Sequence, residues 1–477
     1  MKDKFDIIIV GMGPSSIFCA YELIKLNANK KILLIEKGKR IENRKCPIKE
    51  TGKCIRCKPI CNIIGGFSGA GAFSDGKLLS YHLSSYNIDN DDIYIGGKDD
   101  SFIKQYYSSK EIKEYMKYVD DVYLHFGASH KLEGISRVDE IIDLQERANK
   151  EKLNLVDVPI RHLGTEKAHE LFLKIERFLE DKVYMLFEKE VTDLIVKDKK
   201  VCGVKCGEEE YISDKVIMAV GVDGSNSFKE ICNKYKIKCR NGYMDIGIRY
   251  ELKDEVMQYV NELLYESKII GYGPYKDKIR TYCQNPSGFV TPETYDNGCT
   301  LVNGHAFKDR KSNNTNLAIL VSYKFNKDLK SPLEYGFNIA KKANLLSNGF
   351  AIVQRFGDLI NNKVTTKKKI INNSVEPTMN EIYPYDLGLV LDYRTIVNIV
   401  DFIKRVDKII PGFADKDNLL YGPEIKFFSN EIETDNKFKL KNDNIYFIGD
   451  GAGKAGNIVT AAATGLVAAR DILKRIK

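Results

Sequence analysis

The sequence predicts an α/β chain that opens on a βαβ unit, carries an inserted β-rich α+β domain and returns to the first domain at its end. Three observations predict it. Ile7–Val10 is an apolar run ending at Gly11-Met12-Gly13, with helical spacing from Pro14 and a second apolar run, Ile32–Ile35, closed by Glu36. Between about residues 242 and 435 the texture changes to long β-rich pieces and separate helices. Ile445–Ile448 is another fully apolar run, followed by Gly449-Asp450-Gly451-Ala452-Gly453 and a helix of small residues. We expect a first domain over 1–241, an inserted domain over 242–435 and a return over 436–477. A chain of 477 residues is too long for one core, so more than one unit is required.

Each part of the opening unit has a reason. Gly11 permits the turn after the first strand, and Gly13 lets backbone approach a pyrophosphate. The helix from Pro14, Ser15 and Ser16 aims its first N–H groups at that anion. Ser16 stands where the fingerprint has its third glycine, a position that serves close helix–strand packing. Glu36, with Lys37 beside it, ends the second strand where a carboxylate accepts from a ribose hydroxyl. Residues 40–80 are rich in Cys, Gly, Lys and Pro and read as loop. Helices are predicted over 109–126, 137–150 and 169–179. Val183–Phe187, Glu190–Val196 and Lys200–Cys206, with a turn at Asp198-Lys199, read as an antiparallel meander. Lys215–Val220 is a buried strand ending at Gly221, and 333–346 and 393–406 read as helices of the inserted domain.

Composition bounds the partners. Lys and Arg number 74 against 66 Asp and Glu, a net charge of +8 spread without long basic blocks. That is a solvated surface, and it argues against a nucleic-acid footprint, which would be clustered. No apolar run approaches the roughly 20 residues that span a bilayer. The start runs directly into a core strand, so a cytoplasmic location is expected, with the eleven cysteines as thiols, metal ligands or redox groups.

The strand ending in Gly449-Asp450 before a small-residue helix resembles the second signature of two-dinucleotide-binding flavoproteins of the glutathione-reductase type. That resemblance implies FAD as the tightly held cofactor, with the Asp450 carboxylate at its phosphate–ribityl region and the last helix aimed at the flavin. It sets the expected cofactor wall: Gly11, Gly13, Pro14, Ser15, Ser16, Glu36, Lys37, Gly69, Ala70, Gly71, Val191, Ala219, Gly221, Gly449, Asp450, Gly456, Asn457 and Ile458. No second strand–GxGxxG–helix unit is present to serve NAD(P)H, since Gly69-Ala70-Gly71 lacks the preceding strand.

Further motifs extend the likeness over about residues 5–475. They are Gly65-Gly66-Phe67-Ser68-Gly69-Ala70-Gly71-Ala72-Phe73-Ser74-Asp75-Gly76-Lys77, Arg161-His162-Leu163-Gly164-Thr165 and Arg280-Thr281-Tyr282-Cys283-Gln284-Asn285-Pro286-Ser287-Gly288. Val302-Asn303-Gly304-His305, Gln354-Arg355-Phe356-Gly357-Asp358-Leu359 and Tyr421-Gly422-Pro423-Glu424-Ile425-Lys426-Phe427 complete the set. Together they resemble prokaryotic FAD-dependent dehydrogenases, also called NAD(FAD)-utilizing dehydrogenases, distant relatives of geranylgeranyl reductases. Relatives often carry Thr-Arg-Gly after the Gly453 position, where this chain has Lys454-Ala455-Gly456-Asn457. The resemblance implies fold and cofactor and no particular substrate.

Four cysteines, Cys46, Cys54, Cys57 and Cys61, form C-x7-C-x2-C-x3-C in the loop. Soft ligands at this density suit a [4Fe–4S] cluster or tetrahedral Zn; reduced thiols or a redox pair at Cys54 and Cys57 is the plainer alternative. Candidates for moving a proton are Cys283, which the family pattern puts over the flavin, and His162 and His305, each readable as a structural residue instead. The expected activity is transfer of a hydride or electron pair between FAD and a small organic substrate. NAD(P)H or an electron-carrier protein would be the donor. The rivals are a flavin-dependent RNA-modifying enzyme and a non-catalytic FAD-binding protein.

Overall fold

The computed structural model describes residues 3–26, 29–47, 57–58, 60–72, 77–79, 102–134, 136–156, 159–162, 165–221, 225–240, 243–264, 266–294, 298–306, 310–325, 332–427, 431–441 and 443–476. At its centre is a parallel five-stranded sheet in the order Ile445–Phe447, Val216–Met218, Ile7–Val10, Ile32–Ile35, Tyr184–Leu186. Its strands read as continuous apolar runs because both faces are covered. The first helix, Pro14–Lys25, and the last, Ile458–Ile476, pack side by side on one face. A smaller sheet of Asp3–Phe5, Glu209–Ser213, Lys200–Cys206 and Asp193–Lys197 covers the other.

The meander differs from expectation in one strand. Tyr184–Leu186 leaves it and pairs in parallel with Leu33–Ile35 at the edge of the central sheet. Glu188, with φ +55°, turns the chain immediately afterwards, and Lys189 N then donates to Glu36 O at 3.0 Å. The alternation of apolar residues told strand from helix, but not which sheet received it.

The second core is built on an eight-stranded sheet. Its order is Ile382–Pro384, Ala351–Arg355, Leu419–Phe427, Met244–Lys253, Asn314–Tyr323, Lys278–Asn285, Lys268–Tyr272, Leu153–Val156. The last strand comes from outside 242–435, and with it the helix Val138–Lys150, whose Ile141, Leu144 and Ala148 join this core. Chain before residue 157 therefore lends a helix and an edge strand to the core of the eight-stranded sheet.

Met244–Lys253 shows how that sheet is covered. Ile246, Ile248, Tyr250 and Leu252 point into the apolar core with helices Asp254–Leu263, Pro332–Ser347 and Tyr393–Asp407 behind them. Asp245, Arg249 and Glu251 alternate with them on the opposite face, and they too are buried. Such a face is stable only when each charge is partnered. Arg280 Nη2 bonds Asp245 at 2.7 Å, and Arg249 forks onto Glu424 at 2.7 and 2.8 Å. The Glu251 carboxylate accepts from the hydroxyls of Thr378 and Tyr421.

Candidate functional site

The glycine turn lies at the carboxyl end of the central strand, where the sheet order reverses. Gly11 has φ +93°, and a Cβ there would lie 2.3 Å from Ala219 O, so no other residue fits between the two strand ends. Gly13 precedes the first helix with Pro14 at its start, and a Cβ on Gly13 would meet nothing within 4 Å. That open space is the floor of a cleft of about 290 Å³.

Glu36 does more than the sequence reading assigned to it. Its Oε2 accepts from Met12 N at 2.8 Å, and its Oε1 accepts from Gly38 N at 2.8 Å and Gly66 N at 3.1 Å. One buried carboxylate thus joins the glycine turn, the strand end and the glycine string, while still lining the cleft. Arg44 holds the string from behind. Its guanidinium donates to the carbonyls of Asn62 at 2.9 Å and Ile63 at 2.7 Å, and to Phe67 O. Burial pulls its pKa down to about 10, against the opposing pull of Glu36, Cys61 and Glu176.

The far end of the chain supplies the opposite wall. Gly449 has φ +74°, and its N–H donates to Thr464 Oγ1 at 3.0 Å. A Cβ on Gly451 would lie 2.2 Å from Gly221 O, so two loops cross here at backbone contact. Asn457 caps the last helix, its Oδ1 accepting from Thr460 N at 2.9 Å. Two helix N-termini, at Pro14 and Ile458, therefore face one cleft and make it attractive to an anion.

Of the wall residues expected from sequence, Gly11, Gly13, Pro14, Ser15, Glu36, Lys37, Gly69, Ala70, Gly71, Val191, Ala219, Gly221, Asp450, Gly456, Asn457 and Ile458 line this cleft. Ser16 and Gly449 are buried outside the lining set. Lys189, Glu190, Phe228 and Ile231 also line it and belong to no motif. The only signal for the last two is their spacing on one face of the helix Ser225–Lys234.

Cys283 and His305 are not in the cleft lining. Cys283 has φ +49° and belongs to a polar cluster on the eight-stranded sheet. Its carbonyl accepts from Arg249 Nη1 at 2.8 Å, and its Sγ lies 3.7 Å from Asn285 Nδ2. Lys426 Nζ stands 3.2 Å from Glu424 and 3.6 Å from Glu293, and Asn303 Nδ2 donates to Glu293 at 3.1 Å. Burial works against the Lys426 charge, but Glu424 and Glu293 outweigh it and hold the ammonium above the ordinary lysine range. His305 is exposed on the strand Thr300–His305. His162 ends the strand Ile160–His162 by pairing with Lys77, and its side chain is outside the described set, as is Asp75.

Cys54 also lies outside the described residues. Among the described residues, which include Cys46, Cys57 and Cys61, no group of three or more His, Cys, Asp or Glu is placed to hold a metal ion. Among the same residues no helix is long and apolar enough to cross a membrane.

Residues 247–426, nearly all of the eight-stranded sheet, match the family model described as FAD-dependent protein, C-terminal domain-like. The likeness is to FAD-dependent proteins. It bears out the family resemblance drawn from the motifs. An uncharacterized protein of Clostridium beijerinckii is 24% identical over 495 residues, covering 98% of this chain and 80% of its own. Among solved structures, L-proline dehydrogenase from P. horikoshii aligns over 100% of this chain and 95% of its own at 12% identity and TM-score 0.41. A geranylgeranyl bacteriochlorophyll reductase-like protein of Thermoplasma acidophilum aligns over 100% and 79% at 13% identity and TM-score 0.40. Likeness of that degree assigns no activity.

Proposed function

We propose that this chain is an FAD-dependent oxidoreductase of the glutathione-reductase type that passes a hydride or electron pair between FAD and a small organic substrate in the cytoplasm. The observation that carries the reading is the meeting of the Gly11–Ser15 turn, Glu36 and the Asp450–Ile458 loop on one cleft with two helix N-termini. The residues present fit the cofactor: Gly13 and Gly221 open onto space that any side chain would narrow. Gly11, Gly13 and the first helix would hold the pyrophosphate, Glu36 the ribose, and Asp450 with Asn457 and Ile458 the ribityl and ring end. Bound there, FAD supplies two-electron chemistry that no side chain provides.

The test is direct. Purified protein should be yellow and release FAD on denaturation. A colourless protein that cannot be reconstituted with FAD, yet binds NAD tightly, overturns the assignment. Substrate contact is proposed for the Cys283 cluster, with NAD(P)H or an electron-carrier protein as donor. Cys283→Ala should leave FAD bound and slow flavin reoxidation by substrate, about 10²–10⁴-fold if the thiol is a positioned proton donor. Unchanged reoxidation assigns Cys283 to the fold alone. The [4Fe–4S] or Zn site expected at Cys46, Cys54, Cys57 and Cys61 rests on their spacing alone, and iron, zinc and sulfide analysis of anaerobically prepared protein decides it.

A further inference from the structure

The loop that closes the far side of the cleft carries a lysine with no exposed side-chain surface. Lys454 follows Gly453, and its N–H donates to Gly449 O at 3.1 Å, so it is bound into the turn that carries Asp450. Its Nζ donates to Ile432 O and lies 3.5 Å from Glu431 Oε1, with the side chain 0% exposed. Glu431–Ile432 pairs antiparallel with Cys239–Arg240, and Glu433 N donates to Lys238 O at 2.9 Å beside that pairing. Ile432 is buried in one cluster with Phe228 and Ile231, which line the cleft, and with Ala452 of the loop. This short ribbon holds a particular place in the chain. The strand Met244–Lys253 begins shortly after Arg240, and Leu419–Phe427 ends shortly before Glu431. Those two strands are neighbours in the eight-stranded sheet. The ribbon therefore pairs the chain entering that stretch of the sheet with the chain leaving it.

We infer that Lys454 is a positioning residue that ties the cofactor loop to this ribbon, so that filling the cleft also fixes how the eight-stranded sheet is held. The inference rests on the FAD reading above. Its physical basis is an ammonium taken out of water, which is tolerated only while hydrogen-bonded and is strongly destabilising once its partners leave. Moving the loop off the ribbon would strip the Lys454 ammonium of Ile432 O and Glu431, so loop and ribbon shift together. A ligand against Asp450, Gly456, Asn457 and Ile458 restrains the loop, and through Lys454 it restrains the ribbon. Linkage requires the converse: whatever steadies the ribbon tightens FAD binding by the same factor.

The test is amide hydrogen exchange on the full chain, with and without FAD. Mass spectrometry reads peptides from the Gly11–Ser15 turn and from the ribbon. In the wild type FAD should slow exchange at both, and at the ribbon by about 5–150-fold, the usual span of coupling between sites. Lys454→Met should gain protection at the turn but none at the ribbon, and should hold FAD more weakly in a fluorescence titration. Methionine keeps the aliphatic stem, so a role in packing alone would leave this variant like the wild type. Lys454→Arg should restore both effects. If Lys454→Met does not accumulate, Lys454→Gln drops the same charge and should show the same loss. A wild-type ribbon that FAD leaves unprotected while the turn is protected overturns the inference, as does full ribbon protection in Lys454→Met. A turn that FAD also leaves unprotected refutes the cofactor reading, and this inference with it.

Discussion

Glu36 shows how one side chain sets both shape and binding. Its carboxylate takes three backbone amides, from Met12, Gly38 and Gly66, and hydrogen bonds to a charged group are worth about 1.5–3 kcal/mol each. Glu36→Gln replaces one acceptor oxygen by a donor facing an N–H, so it should lower the urea midpoint even without cofactor. It should also cut FAD content at purification, measured by absorbance after denaturation. A variant with wild-type stability and flavin content would refute the clamp. Lys278 gives a pH signature. Burial, with Arg280 nearby, pulls its pKa from 10.5 to about 8. Between those values the unfolded chain binds more protons than the folded one, so stability gains from this group as pH rises, and below about 8 its half-buried charge is a cost. Lys278→Met should raise the urea midpoint at pH 7, and the gap to wild type should shrink as pH climbs toward 10. A constant gap would refute it. The placement of Gly11, Gly13, Glu36 and Asp450 on one cleft was legible because a motif fixes their spacing. Arg44 was not, since nothing local marks a guanidinium that will be enclosed by carbonyls from a loop well downstream.

At the scale of elements, the close pairing of first and last helices makes the cleft possible. A Cβ on Gly465 would lie 2.0 Å from Ser15 O and 2.9 Å from Cys19 N, so these helices touch backbone to backbone. Farther along, Arg470 Nε bonds the buried Glu22 at 2.7 Å. Gly465→Ala must push the helices apart, and overpacking of this kind typically costs about 1–3 kcal/mol. We expect a lower melting temperature and weaker FAD retention, and an unchanged melting temperature would show that the helices can separate freely. The helices were legible because small residues recur at helical spacing. The sheet membership of Tyr184–Leu186 and Leu153–Val156 was not, because an apolar alternation states that a face is buried without stating against what.

For the whole molecule, the eight-stranded sheet and the helix Val138–Lys150 share one core across the expected boundary at 242. Replacing residues 247–426 with a short linker should therefore leave Leu153, Leu155, Ile141 and Leu144 exposed. Aggregation or loss of soluble protein is expected on expression, whereas a soluble, FAD-binding product would show that the first core closes by itself. The boundary was drawn from a change of texture, and texture cannot reveal a strand that crosses from one unit to complete another.

The cleft wall joins the Gly11–Ser15 turn to the Asp450–Ile458 loop, which the ribosome makes almost a whole chain later. During synthesis the eight-stranded sheet has all its strands while the Asp450–Ile458 side of that wall is still unmade. Cofactor capture is then expected late in synthesis, because the two sides of the wall meet only after the Asp450–Ile458 loop has been made.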